Sequence, residues 1–151
     1  MRFIFLFALL LPGCSLRQSF QPIPDFYLLW SKPGSNFLDI QKTLLECGSP
    51  SPAPWGKDLF GEKYVEVVFC MKQAGYFYND PFEKSGKICE KYHQYPACQP
   101  GAEIPRPSAS LRLNSEYCKQ RTNHDYCGKN TPKPEGCSYN DYKTTPPECL
   151  P

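Results

Sequence analysis

The chain has 151 residues, a formal charge of +2 and an aromatic share of 15%. That is room for one ordinary domain with extended ends, and it lacks the sustained basic field that nucleic-acid binding needs. Seventeen prolines and nine cysteines exclude a typical cytosolic chain, while the aromatic content argues against disorder, so a loop-rich but folded protein of an oxidising compartment is expected.

Met1 and Arg2 form a short positive region, and Phe3 to Leu11 (FIFLFALLL) an apolar run. The run is shorter than the roughly 20 residues a membrane-spanning helix requires, so it is predicted to be an export signal. It leads into Leu11-Pro12-Gly13-Cys14. A thiolate is the side-chain nucleophile that takes a diacylglyceryl group as a thioether, and a small residue before it gives a peptidase access to the bond. The segment resembles the lipobox of bacterial lipoproteins. The resemblance implies that residues 1–13 are a signal peptide and that Cys14 is the lipidation site. It would carry covalent diacylglycerol and an N-acyl lipid such as palmitate, with no other cofactor. Ser15 after that cysteine resembles the sorting signal for the outer membrane. Residues 14–24, polar and ending in Pro22-Ile23-Pro24, then read as a lipidated tether.

The first structured element is predicted after the turn at Trp30 to Gly34. Asn36 is placed to cap a helix with Asp39 at its third position, and Phe37, Ile40, Leu44 and Cys47 recur at helical spacing, with Leu45 widening the stripe. Gly48 and Pro50 end this helix, expected over 37–47. Residues 49–56 read as an extended proline-rich connection, with Trp55 packing back onto the helix. Glu62 to Ala74 carries two patterns. Val65, Val67 and Phe69 alternate as in a strand, whereas Tyr64, Val67, Val68 and Met71 share a helical face that Gly75 would terminate; length and that glycine favour helix. Gly75 to Phe82 reads as a short aromatic strand running into an Asn79-Asp80-Pro81 turn. Residues 25–82 are thus expected to form a helical subdomain.

Residues 83–151 differ. Aliphatic side chains are sparse there, only Ser108 to Gln120 suggests a helical turn or two, and six of the eight cysteines other than Cys14 fall in it. The expected fold class is a small α-rich domain, α or α+β, stabilised by disulfides, with a long irregular Pro/Cys-rich C-terminal half where cross-links substitute for core. Cys47, Cys70, Cys89, Cys98, Cys118, Cys127, Cys137 and Cys149 are the disulfide candidates. Eight cysteines allow on the order of a hundred connectivities. The expected pairing is Cys47 with Cys70, clamping the two helices, Cys89 with Cys98, and two bridges within Cys118 to Cys149. Cys89–Cys98 and Cys118–Cys127 also echo each other as C-x8-C segments, each holding a histidine and at least one tyrosine.

Chemistry-bearing constellations are few. His93 and His124 lie inside cysteine-bounded segments, but no C-x2-C pair accompanies them, so no metal site is expected. Paired cysteines leave no thiol nucleophile, no G-x-S-x-G motif supplies a serine, and Glu62, Glu66, Asp80 and Glu83 read as solvated charge. The tail, with Tyr139, Tyr142 and Pro146-Pro147, reads equally as an adhesive extended surface or as a rigid spacer. Finally, Gly34-x-Asn36-x3-Ile40-x3-Leu44 followed by Gly48-x-Pro50 resembles the SmpA/OmlA-type outer-membrane assembly lipoproteins, with Leu45-Glu46-Cys47 as an added helical turn. More broadly the chain resembles small cysteine-rich lipoproteins of Gram-negative bacteria. The function expected is that of a lipid-anchored envelope lipoprotein, a binding or structural module and not an enzyme. Its expected partners are the membrane, through the lipid anchor, and envelope proteins, with no nucleic acid. The alternatives are an outer-membrane assembly accessory, a receptor-blocking or phage-exclusion lipoprotein, and a periplasmic enzyme.

Overall fold

A computed structural model describes residues 25–54, 58–79, 87–132, 134–137 and 145–151. Cys14 with the signal peptide and tether, Trp55, Asp80, Pro81, Glu83, Tyr139 and Tyr142 lie outside the described residues. A 3-10 turn, Phe26–Leu29, leads into the short strand β1, Trp30–Ser31. Helix α1, Phe37–Glu46, begins with the expected capping box. The Asp39 N–H donates to Asn36 Oδ1 at 3.0 Å, and the Asn36 N–H donates back to Asp39 Oδ2 at 2.9 Å, so two backbone donors at the helix start are satisfied. Cys47 is the C-cap. Gly48 follows at φ +81°, and the Ser49 N–H reaches the Leu44 carbonyl at 2.9 Å. A Cβ at this glycine would meet Lys63 Nζ at 2.9 Å, so both the left-handed backbone and the close approach call for glycine.

The two-way pattern of the next segment resolves as helix α2, Gly61–Gln73. Val65, Val67, Val68, Cys70 and Met71 are all buried. A helix covered on most sides shows no clean stripe, which is why strand-like alternation survives in its sequence. Gly75, at φ +87°, ends it, with the Tyr76 N–H donating to the Met71 carbonyl at 3.1 Å. The chain then forms β2, Phe77–Tyr78, antiparallel to β1 with Trp30 opposite Tyr78 and Ser31 opposite Phe77.

The C-terminal half is more regular than its composition suggests. It carries α3, Ile88–Lys91; α4, Ala109–Leu113; α5, Glu116–Thr122; and α6, His124–Asn130. Ser115 and Asn123 cap α5 and α6 through the N–H groups of Cys118, at 3.2 Å, and Tyr126, at 2.9 Å. These helices bury cysteine in place of aliphatic side chains, with Cys118 inward on α5 and Cys127 on α6. A reading that sets cysteine aside as cross-link therefore loses their periodicity. Among the described residues the protein is helix-rich, with one two-stranded ribbon.

Four disulfides cross-link it: Cys47–Cys70, Cys89–Cys98, Cys118–Cys149 and Cys127–Cys137. The C-x8-C echo has no structural counterpart, because only its first member closes on itself. One apolar cluster gathers around α2 and includes Leu29, Trp30, Ile40, Leu44, Leu59, Tyr76, Tyr78 and Ile88. Tyr92, Tyr95 and Cys98 pack against it, so the Cys89–Cys98 loop completes this core. A much smaller cluster joins Leu45 to Cys118 and Cys149. Helix α1 is shared. Ile40 and Leu44 face the first cluster, and Leu45, the residue that widens its stripe, faces the second.

Candidate functional site

Beneath the β-ribbon lies a run of aromatic rings. Trp30 and Tyr78, opposite each other in the ladder, have centroids 4.6 Å apart, and Phe26 lies 5.9 Å from each. The contacts continue through Tyr64 and Tyr92 to Tyr95. Such offset and edge-on ring pairs lock a small core in one arrangement. Trp30 Nε1 is buried with no hydrogen-bond partner among the described residues.

Because strand side chains alternate, the outer face of the same ribbon carries Ser31 and Phe77. Two shallow depressions include ribbon residues in their linings. The first, about 300 Å³, is lined by Trp30, Ser31, Lys32, Ser35, Asn36, Phe37 and Ile40 at the start of α1. The second, about 410 Å³, is lined by Lys72, Tyr76, Phe77, Tyr78 and Asn79. Asn79 Nδ2 donates to Ser31 Oγ at 2.9 Å and joins them. Lys32 Nζ donates to the Ala74 carbonyl at 2.8 Å and lies 5.0 Å above the Tyr76 ring. The phenyl rings are left out in solvent, Phe37 and Phe77 being 63% exposed each. The Phe37 ring is braced edge-on by Tyr27 at 6.0 Å. Hydroxyls, two ammonium groups and exposed rings, with no carboxylate in either lining, equip this face for binding.

No family model, no curated protein and no solved structure matches the chain. Function must therefore be read from the residues themselves.

The residues singled out in the sequence fall elsewhere. His93 and His124 are both exposed, and neither lines either depression. Among the described residues no group of His, Cys, Asp or Glu is placed to hold a metal ion. Glu66 pairs with Lys63 at 3.3 Å, and Glu62 is exposed. All eight disulfide candidates are paired. Pro147 opens the 3-10 turn that carries Cys149 into the tail cluster.

A polar arrangement around Arg112 gave no sequence signal, since an arginine on a short helix normally reads as surface. Arg112 is buried. Its Nε donates to Glu46 Oε1 at 3.0 Å, and its Nη1 donates to the carbonyls of Glu148, at 2.8 Å, and of Leu150. The fixed fork of donors suits arginine to tie a helix end and a chain segment together. Nearby, the Tyr117 hydroxyl donates to Glu148 and lies under the Arg121 guanidinium, 3.9 Å from its ring. Burial, and then the hydrogen bond to the carboxylate, push the Tyr117 hydroxyl up to about 12, with Arg121 opposing. On the surface, Tyr126 is likewise raised, chiefly by its hydrogen bond to Glu116. These contacts fasten the tail.

Proposed function

We propose that the protein is a lipid-anchored envelope lipoprotein whose disulfide-held domain acts as a binding or structural module and not as a catalyst. The observation that carries this reading is the cysteine inventory. Of nine cysteines, eight are joined in four bridges, and the ninth is Cys14, directly behind Gly13 at the end of an apolar export signal. The other eight being paired with one another, lipidation gives the Cys14 thiol a chemical fate. Two or three acyl chains, at about 0.8 kcal/mol per buried methylene, make such an anchor effectively permanent. The binding role is supported by the exposed phenyl rings beside Lys32 and Lys72. Ser15 favours the outer membrane as destination.

The test is metabolic labelling with an alkyne analogue of palmitate. Wild type should take up label and fractionate with the outer membrane, whereas Cys14→Ala should be unlabelled. Equal labelling of both forms overturns the anchor. Crosslinking in intact cells addresses the module. Failure to capture any envelope protein, together with chelator-sensitive hydrolysis by the purified unlipidated domain, would turn the reading toward an enzyme.

A further inference from the structure

We infer that the outer face of the β-ribbon is a contact surface for an anionic phospholipid bilayer, with Phe37 and Phe77 entering the interface and Lys32 and Lys72 meeting lipid phosphates. The inference rests on the lipid-anchor reading for its geometry. The ten residues from Ser15 to Pro24 span at most about 35 Å when fully extended, and Asp25 directly precedes the Phe26–Leu29 turn that feeds β1. This turn, with β1 directly after it, is thus the described part of the domain closest along the chain to the proposed anchor. The turn itself adds Leu28, an exposed aliphatic side chain.

The chemistry of the face matches a bilayer surface. Its two exposed phenyl rings are linked through named neighbours. Phe37 and Ser31 line one depression, Ser31 lies opposite Phe77 in the ladder, and Phe77 and Lys72 line the other. The linings hold two ammonium groups and no carboxylate, the neighbouring Asp39 carboxylate being engaged by the Asn36 N–H, so the charge of the linings themselves is complementary to phosphate. Lys72 Nζ lies over the Phe69 ring, 5.9 Å from its centroid, and Lys32 bridges to Ala74. Both cations are therefore held beside the apolar patch, the arrangement of surfaces that lie on a membrane without crossing it. At the other end of α1, Glu46 is covered by α4 through the Ser108 N–H and Arg112, so the tail lies away from this face.

The experiment uses the mature chain from Ser15 onward, without lipid, and sedimentation with vesicles of phosphatidylglycerol in phosphatidylethanolamine or of phosphatidylcholine alone. Binding to the anionic vesicles is expected, weakened by salt and absent with phosphatidylcholine. Phe37→Ser with Phe77→Ser should reduce partitioning more than tenfold, and each of Lys32→Gln and Lys72→Gln roughly fivefold. Leu111→Ser, a change at another exposed apolar side chain, on α4, should leave it unchanged. Retention of four disulfides by non-reducing mass spectrometry verifies that each variant is folded. Absence of binding by the folded wild-type chain, or equal binding by the double phenylalanine variant, overturns the inference. So does concentration-dependent dimerisation that the double variant abolishes while no vesicle is bound, because the face then meets a second copy. These results are independent of palmitate labelling at Cys14, so failure of the anchor and failure of the contact face are told apart.

Discussion

The α2-centred core and the tail around Cys118 and Cys149 solve the same problem with opposite means. The first buries fourteen residues in one cluster and uses Cys47–Cys70 and Cys89–Cys98 as reinforcement. The second buries three, so its order depends on two bridges, a buried arginine and a tyrosine–carboxylate hydrogen bond. Apolar burial is non-directional and spread over many contacts, whereas a bridge or a charged hydrogen bond is local and fails all at once. The core should therefore yield gradually to single substitutions, and the tail abruptly.

Replacing both cysteines of the Cys118–Cys149 bridge with serine should have the largest effect. It releases a constraint across a sequence separation of 31 residues, worth roughly 4 kcal/mol by loop entropy. Hydrogen exchange should then show protection lost in α4, α5 and the last residues and kept in α2. Loss of protection in both regions together would show that the tail props up the core. Leu44→Ala, at a fully buried position in α1, should cost about 3 kcal/mol in denaturant unfolding. Because α1 serves both clusters, this change should lower protection in both. Arg112→Met removes the buried cation and leaves Glu46 facing an apolar side chain. Glu46 retains some access to water, so a cost of about 2 kcal/mol is expected, below the range for a fully buried broken pair. It should appear as fraying of residues 145–151.

The smallest effect is a pH dependence. Tyr117 has its folded pKa raised from 10.0 to about 12. Its contribution is whole below the unfolded value and is lost as pH rises through the folded one, so the tail should loosen between about pH 10 and 12. Ultraviolet titration should find Tyr117 ionising late, with Tyr126 also delayed, and Glu148→Gln should bring Tyr117 earlier while leaving Tyr126 unchanged.

Legibility in the sequence divided along the same line. The start and stop of α1 could be read because Asn36, Asp39 and Gly48 act through the backbone next to them, and Gly75 did the same for α2. The bridge between Cys47 and Cys70 was expected as a clamp between the two helices, one choice among many that the sequence alone leaves open. The tail could not be read so far, because its order comes from contacts distant along the chain. Arg112 meets Glu46 and Glu148, which lie 66 and 36 residues away, and no local pattern announces such partners. The phenyl-lined face was missed for a different reason. Phe37 was counted toward the buried stripe of α1 and Phe77 toward an aromatic strand, and periodicity alone does not reveal that each points outward at the edge of its element.

The bridge pattern also sets the order in which the protein can be completed. No disulfide joins a cysteine before Gly75 to one after Lys87, and Cys127–Cys137 is nested inside Cys118–Cys149. With Cys14 blocked by the proposed lipidation, a chain oxidised as it emerges from its N-terminus reaches native pairs at its first two bridges, each later cysteine taking the next one to arrive. At the third, the same rule joins Cys118 to Cys127, a non-native pair that only thiol–disulfide exchange can undo once Cys137 and Cys149 have arrived. The core thus needs an oxidant alone, and the demand for reshuffling falls entirely on the tail.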